Sequence, residues 1–467
     1  MSAVLELLQG LRLSPLPTPL PKPVGPVDPA EEAALRFGSV AAAAVHPFEV
    51  AAAIEAEGVT DRQVQRRYGR SDAFELAEEL YAETPRSYPE PEAASSPWHA
   101  PLSTSVLRGC LYALPGLAFP LGAPMLSGPP DAGGLPHGTF ALALSVVLNW
   151  AWNQALAHRT HVRIGRGQRR SGGRCLLRGA FVGAGLGLLG ALIGALVAGH
   201  HSGGVLLFCG GQALYLGGSC VLLVLGRELL LLRALAPATL GGAAALLGLI
   251  RPSPLTALLL VWTVLLTLRL ARRELRGCLS ELDGDSAIEP LPPLRASVPH
   301  GLFGMAMSLL TLGIALRGGR LDLGPTVALT ISMGPAEWLL YGYRHRIHGA
   351  LRAAHTARGF ALLSARSLAL GLGSYLVLLA LLGGAVGTAL AGGPFGQQLP
   401  ALLALGATVW TALLLQAFGR AWAATGICVP AAAATVAGVA EPAVGSTAAA
   451  LLLAVACWSL GRVTVHR

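Results

Sequence analysis

Ten polar or ionisable residues interrupt stretches that are otherwise apolar enough to sit in lipid, and their types limit the chemistry open to them. Arg108, Arg178 and Arg366 each fall about a turn inside one end of an apolar stretch, and His300 falls at the depth matching Arg108. Guanidinium groups make bidentate, charge-assisted hydrogen bonds, so arginines in such places suit phosphate or carboxylate ligands. Snorkelling to lipid headgroups explains each arginine taken singly; convergence on one vestibule explains the set. Asn149, Gln154, Gln212, Gln416 and Tyr112 add neutral hydrogen-bonding groups, and Asn149 shares a helical face with Asn153. Glu337 is the one carboxylate well inside an apolar stretch. It reads either as a proton or sodium site or as a structural partner of Arg344 or Arg366. No paired-carboxylate, nucleophile–base or metal-ligand set stands out, so neither an enzyme nor a metal or cofactor protein is expected.

The elements that must position these residues are membrane spans. The chain has 467 residues, 53% of them hydrophobic and 13% charged, with a mean hydropathy of +0.58. That is too apolar for a soluble globule. Twelve stretches reach or approach the ~20 residues needed to cross ~30 Å of hydrocarbon. They fall near 105–126, 138–157, 176–199, 204–226, 229–250, 254–271, 299–316, 325–343, 362–391, 399–419, 422–440 and 444–461. Even-to-odd connections carry most arginines: Arg159, Arg163, Arg166, Arg169, Arg170 and Arg174, then Arg227 and Arg233, then Arg269, Arg272, Arg273 and Arg276. Arg344, Arg346, Arg352, Arg358 and Arg420 continue the pattern, with Arg251, Arg317 and Arg320 as exceptions. The positive-inside rule then places both termini in the cytoplasm. The net charge of +9 is thereby a topology signal and not a nucleic-acid footprint. Lys22 is the lone lysine, a bias that suggests a GC-rich bacterial genome. The seven cysteines are scattered and read as structural thiols.

The apolar region reads as two tandem copies of one half. His158, Arg159 and His161 align with His345, Arg346 and His348 at a shift of 187. Arg178, Gly183 and Gly185 align with Arg366, Gly371 and Gly373 at 188. Arg108-Gly109 answers to His300-Gly301 at 192, and Gly226-Arg227 with Pro237 to Gly419-Arg420 with Pro430 at 193. GLGLLG at 185–190 lies within a span and has no preceding strand, so its glycines serve helix packing and cradle no phosphate. Pro115, Pro120 and Pro124 bend the first span.

Ahead of the spans, residues 1–27 are Pro-rich, lack the apolar core of a signal peptide and read as an extended tail. Residues 28–86 form a small helical cytosolic module and 87–104 a linker. Asp28-Pro29 and His46-Pro47 open helices, Thr60 with Gln63 makes a capping box, and Ser71 caps AFELAEELYAE. The module is a candidate dock for a cytosolic or membrane glycosyltransferase; an appendage that covers the cytosolic mouth or aids insertion explains it equally well. The remaining divisions are 105–271 and 299–467, two six-helix bundles, joined by a cytosolic linker at 272–298.

The second span ends in a polar Asn/Gln cluster followed by a basic loop, WNQALAHRTHVRIGRGQRRSGGRCLLRG. The fourth contains QALYLGGSCVLLVLGRELLLLRALAP, and both have second-half counterparts. Over about 105–461 this pattern resembles the MOP flippase superfamily, which includes multidrug and toxin extrusion transporters and polysaccharide, O-antigen and lipid II flippases. The resemblance implies two bundles rocking around a central cavity in a bacterial inner membrane. It also implies an anionic lipid-linked saccharide as cargo, with Arg108, Arg178, Arg366 and His300 on its phosphates or acidic sugars. Asn149, Gln154, Gln212, Gln416 and Tyr112 would then contact sugar hydroxyls while the lipid tail stays among membrane lipids. One departure matters: the first span has no Asp or Glu, where cation-coupled drug exporters of this group usually place a carboxylate in the amino-terminal lobe. The alternatives are a cation-coupled small-molecule exporter centred on Glu337 and a membrane scaffold that recruits a glycosyltransferase.

Overall fold

The computed structural model describes residues 29–87, 102–131, 134–199, 202–281, 293–316, 322, 324–390 and 398–465. The tail at 1–27 and most of the linker at 87–104 lie outside the described residues. Every regular element among the described residues is helical, with sixteen α-helices and no strand. The chain divides into two units, Met1–Ser96 and Pro97–Arg467.

The first unit holds α1 (Pro29–Ala43), α2 (Pro47–Ala56), α3 (Asp61–Tyr68) and α4 (Ala73–Glu83). Proline opens α1 and α2, where its missing N–H costs no helical bond. The Thr60–Gln63 capping box forms as expected, and Gly58 at φ 77° turns the chain out of α2. The cap of α4 differs by one residue. Asp72 accepts from the Phe74 and Glu75 amides, while Ser71 bonds the Glu75 carboxylate. Asp is the stronger cap because its charge also meets the helix dipole. Phe37, Val50, Ile54, Val64, Leu76 and Leu80 form the core, and Phe74 is exposed. Hydrogen bonds from Arg67 and Arg70 hold the Glu32 and Glu79 carboxyls below the ordinary carboxylate range.

The second unit holds twelve helices: α5 (Leu102–Leu117), α6 (Thr139–Gly165), α7 (Arg169–Ala198), α8 (Gly203–Val224), α9 (Glu228–Leu246), α10 (Pro254–Ser280), α11 (Val298–Ala315), α12 (Gly324–Ala353), α13 (Ala357–Leu390), α14 (Leu399–Ala417), α15 (Ala421–Val436) and α16 (Glu441–Leu460). Ten of these segments are long and apolar enough to cross a membrane. The exceptions are α15, at 16 residues, and α12, which is diluted by Pro335, Glu337 and a basic end. Several helices outrun their apolar stretch. Helix α10 continues to Ser280, so 272–280 is helix where a linker was expected; Arg272, Arg273, Glu274, Leu275 and Arg276 are good helix formers and no proline interrupts them. Helix α5 instead ends early, at Leu117, and gives way to a short 3₁₀ turn at Phe119–Gly122 around Pro120.

Glycines set the closest packings. Gly183, Gly187, Gly190 and Gly194 of α7 lie against α6, where an added methyl would meet Trp152, Asn149 or the α6 backbone. This is packing, as expected for GLGLLG. Two substantial packings join the first six helices to the last six, α5 on α12 and α6 on α11. Within both sets the second helix packs on the third, the third on the fourth, the fourth on the sixth and the first on the fifth. The turns before α9 and α15 also match. Gly226 and Gly419 have φ 67° and 73°, and the next amides, Arg227 and Arg420, bond to Leu222 and Leu415 carbonyls at 2.8 and 2.9 Å. Both turns are Schellman closures, which require a residue that tolerates positive φ.

Candidate functional site

The α5/α12 seam is drawn tight by glycine on both sides. A methyl built on Gly109 would lie 3.0 Å from the Gly334 Cα, and one on Gly334 would collide with the Ser105 carbonyl. Backbone contact this close brings the residue before Gly109 and the residue three after Gly334 together. These are Arg108 and Glu337, and Arg108 Nη1 donates to Glu337 Oε1. The same guanidinium donates through Nε and Nη2 to Glu228 Oε1 at 3.0 and 2.9 Å. Glu228 is the first residue of α9, where a carboxylate also faces the positive end of the helix dipole. The side chains of Arg108, Glu228 and Glu337 retain 30%, 12% and 26% exposure, so solvent screens the cluster only in part. One cation between two carboxylates leaves a formal charge of −1. Tyr112 lies one turn along from Arg108 on the same face of α5 and is exposed.

The α6/α11 seam has the same glycine but neutral chemistry. Gly301 faces the Ala151 carbonyl at 3.2 Å, counted from an added methyl, and Gly304 receives Gln154 and the Trp150 backbone. The His158 and His300 rings stack across this seam, with centroids 3.9 Å apart and planes 15° apart. His158 Nδ1 meets Ser297 Oγ at 3.2 Å, and His300 Nδ1 meets Gln416 Oε1 of α14 at 3.2 Å.

Several expected roles change. Arg108 is not a free phosphate ligand, because both carboxylates occupy its guanidinium. Glu337 pairs with Arg108, so as a structural partner it serves neither Arg344 nor Arg366. Arg344 instead donates to the Ala417 carbonyl and lies over the Phe418 ring at 5.3 Å. Arg178 and Arg366 are both exposed, and neither contacts Arg108 or His300 among the described residues. Arg178 lies on the exposed α7 stripe of Leu177, Phe181, Leu188 and Leu192, and Arg366 on the α13 stripe of Leu362, Leu370 and Val377. Helix rotation sets this: both arginines fall on stripes that no neighbouring helix covers. Asn149 is fully buried beneath Gly187, accepting from Asn153 Nδ2 at 3.4 Å, and so lines no cavity. Gln212 lies on α8, which packs on helices of its own half, and its Oε1 has no partner among the described residues. His300, Gln416 and Gln154 do gather at one seam. Sequence reasoning missed Glu228 and His158. His158 was visible as a repeat anchor, and Glu228 as the only acid opening an apolar stretch in the first half.

No group of three or more His, Cys, Asp or Glu with metal-holding geometry occurs among the described residues. The architecture is that of a multi-pass helical membrane protein. No protein-family model, curated protein or solved structure matches the chain.

Proposed function

We propose that the chain is an alternating-access transporter of the bacterial inner membrane with twelve spans, built from two copies of a six-helix unit, α5–α10 and α11–α16. The observation that carries this reading is the reciprocal seam: the first helix of each half packs on the second helix of the other. Parallel repeats related by an axis along the membrane normal give this exchange, and rocking of one half on the other follows from it. Gly109 and Gly301, paired in the sequence alignment, each lie at one of the two seams against the other half's backbone. The cargo we assign is a lipid-linked saccharide precursor, its head group among Tyr112, Gln154 and the two seams and its tail in the bilayer. The Arg108–Glu228–Glu337 cluster, at the arginine-rich end, latches the cytoplasmic side. The test is a staple: Arg108→Cys/Glu337→Cys in reconstituted vesicles holding a fluorescent polyprenyl-linked disaccharide. Oxidation should arrest transfer between leaflets and reduction should restore it; unchanged transfer by the oxidised protein sinks the rocking mechanism.

One observation favours a second reading, the cation-coupled exporter. Two carboxylates reach the first span although it holds none itself, and a proton or sodium ion would neutralise their excess charge. Glu337→Gln would then abolish efflux driven by a proton or sodium gradient and leave saccharide transfer untouched.

A further inference from the structure

Helix α10 carries one continuous exposed face of two kinds. Leu258, Val261, Trp262 and Leu265 are exposed along it. Arg269, Arg272, Arg273 and Arg276 follow on the same face at i, i+3, i+4 and i+7, all exposed. The four arginines with Leu270 wall an open pocket of about 360 Å³. None of the four has an ion-pair partner among the described residues. The one acid in this stretch, Glu274, is taken by Arg227 at 2.7 Å. The face is therefore apolar along Leu258–Leu265, with the Trp262 indole in its midst, and cationic from Arg269 onward.

Topology alone does not require this. Helix α16 closes the last six helices as α10 closes the first six. It exposes Leu451 and Trp458, and Arg462 just beyond it lies over the Trp458 ring at 3.9 Å.

We infer that this face of α10 is a docking site for the phosphate of an anionic membrane lipid. Seven residues of helix place the outer guanidiniums about 10 Å apart. That length spans one diphosphate head group or the phosphates of two neighbouring lipids. Guanidinium forks bind phosphate oxygens in pairs, and the apolar half of the face takes the acyl or polyprenyl chain. The inference deepens the transport reading, since it gives a phosphate-bearing lipid a place to collect at the flank of the first half. It is a statement about binding, and it stands or falls whether or not the protein transports.

The full chain, purified in neutral detergent, is titrated with phosphatidylglycerol and, separately, with polyprenyl pyrophosphate, and bound lipid is counted by native mass spectrometry. Arg269→Gln/Arg272→Gln/Arg273→Gln/Arg276→Gln should weaken retention of both by about tenfold or more. The milder pair Arg272→Glu/Arg273→Glu should do the same with fewer changes to the helix. An equal-charge control, Arg352→Gln/Arg358→Gln/Arg420→Gln/Arg462→Gln, should bind as the parent does. Retention unchanged in the four-arginine variant and in the charge-reversed pair overturns the site. Equal loss in the control reduces it to net charge and overturns it too. Displacement of lipid by equimolar inorganic pyrophosphate would assign the arginines to a soluble anion instead.

Discussion

At one seam between the halves a guanidinium is held by two carboxylates; at the other, two imidazoles lie face to face. Both seams use a glycine at the crossing, Gly109 in the first and Gly301 in the second, each directly after the residue that carries the chemistry. The backbone plan is shared and the side-chain plan is not. The charged seam has glycine on both sides, so backbone meets backbone from each; in the neutral seam the glycines lie on α11 alone, where a methyl on Gly301 would come 3.2 Å from the Ala151 carbonyl and one on Gly304 3.0 Å from the Trp150 carbonyl. Two related surfaces can thus hold with different strength, which is what a molecule needs if its halves part at one seam while pivoting at the other.

The largest expected effect comes from removing the shared cation. Arg108→Ala leaves Glu228 and Glu337 facing each other without a counter-charge, and stranding partly buried charge costs about 3 kcal/mol. Glu337→Gln leaves Arg108 still bound to Glu228 and should cost only about 1 kcal/mol. Unfolding of the full chain by titration with a denaturing detergent measures both. In the double variant the two costs should fall well short of their sum, because the groups share one network. Equal costs for the single variants would mean that Arg108 is not the hub.

Next in size is the difference between the glycines. Gly334→Ala pushes a methyl into the α5 backbone, which has no rotamer to give, and should cost about 1–3 kcal/mol. Gly301→Ala meets its nearest atoms at 3.2 and 3.3 Å, and should cost under about 1 kcal/mol. If both cost the same, the seams are equally tight and the contrast drawn above is wrong.

Much of this was legible before any coordinates. The apolar stretches, the glycine ladder of α7, the capping box at Thr60 and the paired Gly-Arg turns before α9 and α15 all rest on short-range rules that the local sequence obeys. What was illegible is rotation and long-range pairing. Each residue turns a helix by 100°, so whether Arg178 faces a chamber or lipid depends on a small angle. Phe181 and Leu188 on its own stripe were the available signal, as Leu362 and Leu370 were for Arg366. The partners of Arg108 lie 120 and 229 residues away on two other helices. Nothing in either local sequence announces them, except that a lone acid in an apolar helix must find a cation.

The smallest effect tests the neutral seam itself. His300→Phe keeps a flat ring opposite His158 and so keeps most of the stack, but it deprives Gln416 of its hydrogen bond. A partly buried amide left without its partner should cost about 1 kcal/mol. If the hydrogen bond is the reason, His300→Phe/Gln416→Leu should recover most of the loss, since replacing both partners with apolar groups of similar shape is close to neutral. If the double variant is instead worse than either single one, Gln416 has a second use at this seam. Its Nε2, which has no partner among the described residues, would then be the atom to follow, because a cargo hydroxyl arriving between α11 and α14 would find a donor already in place.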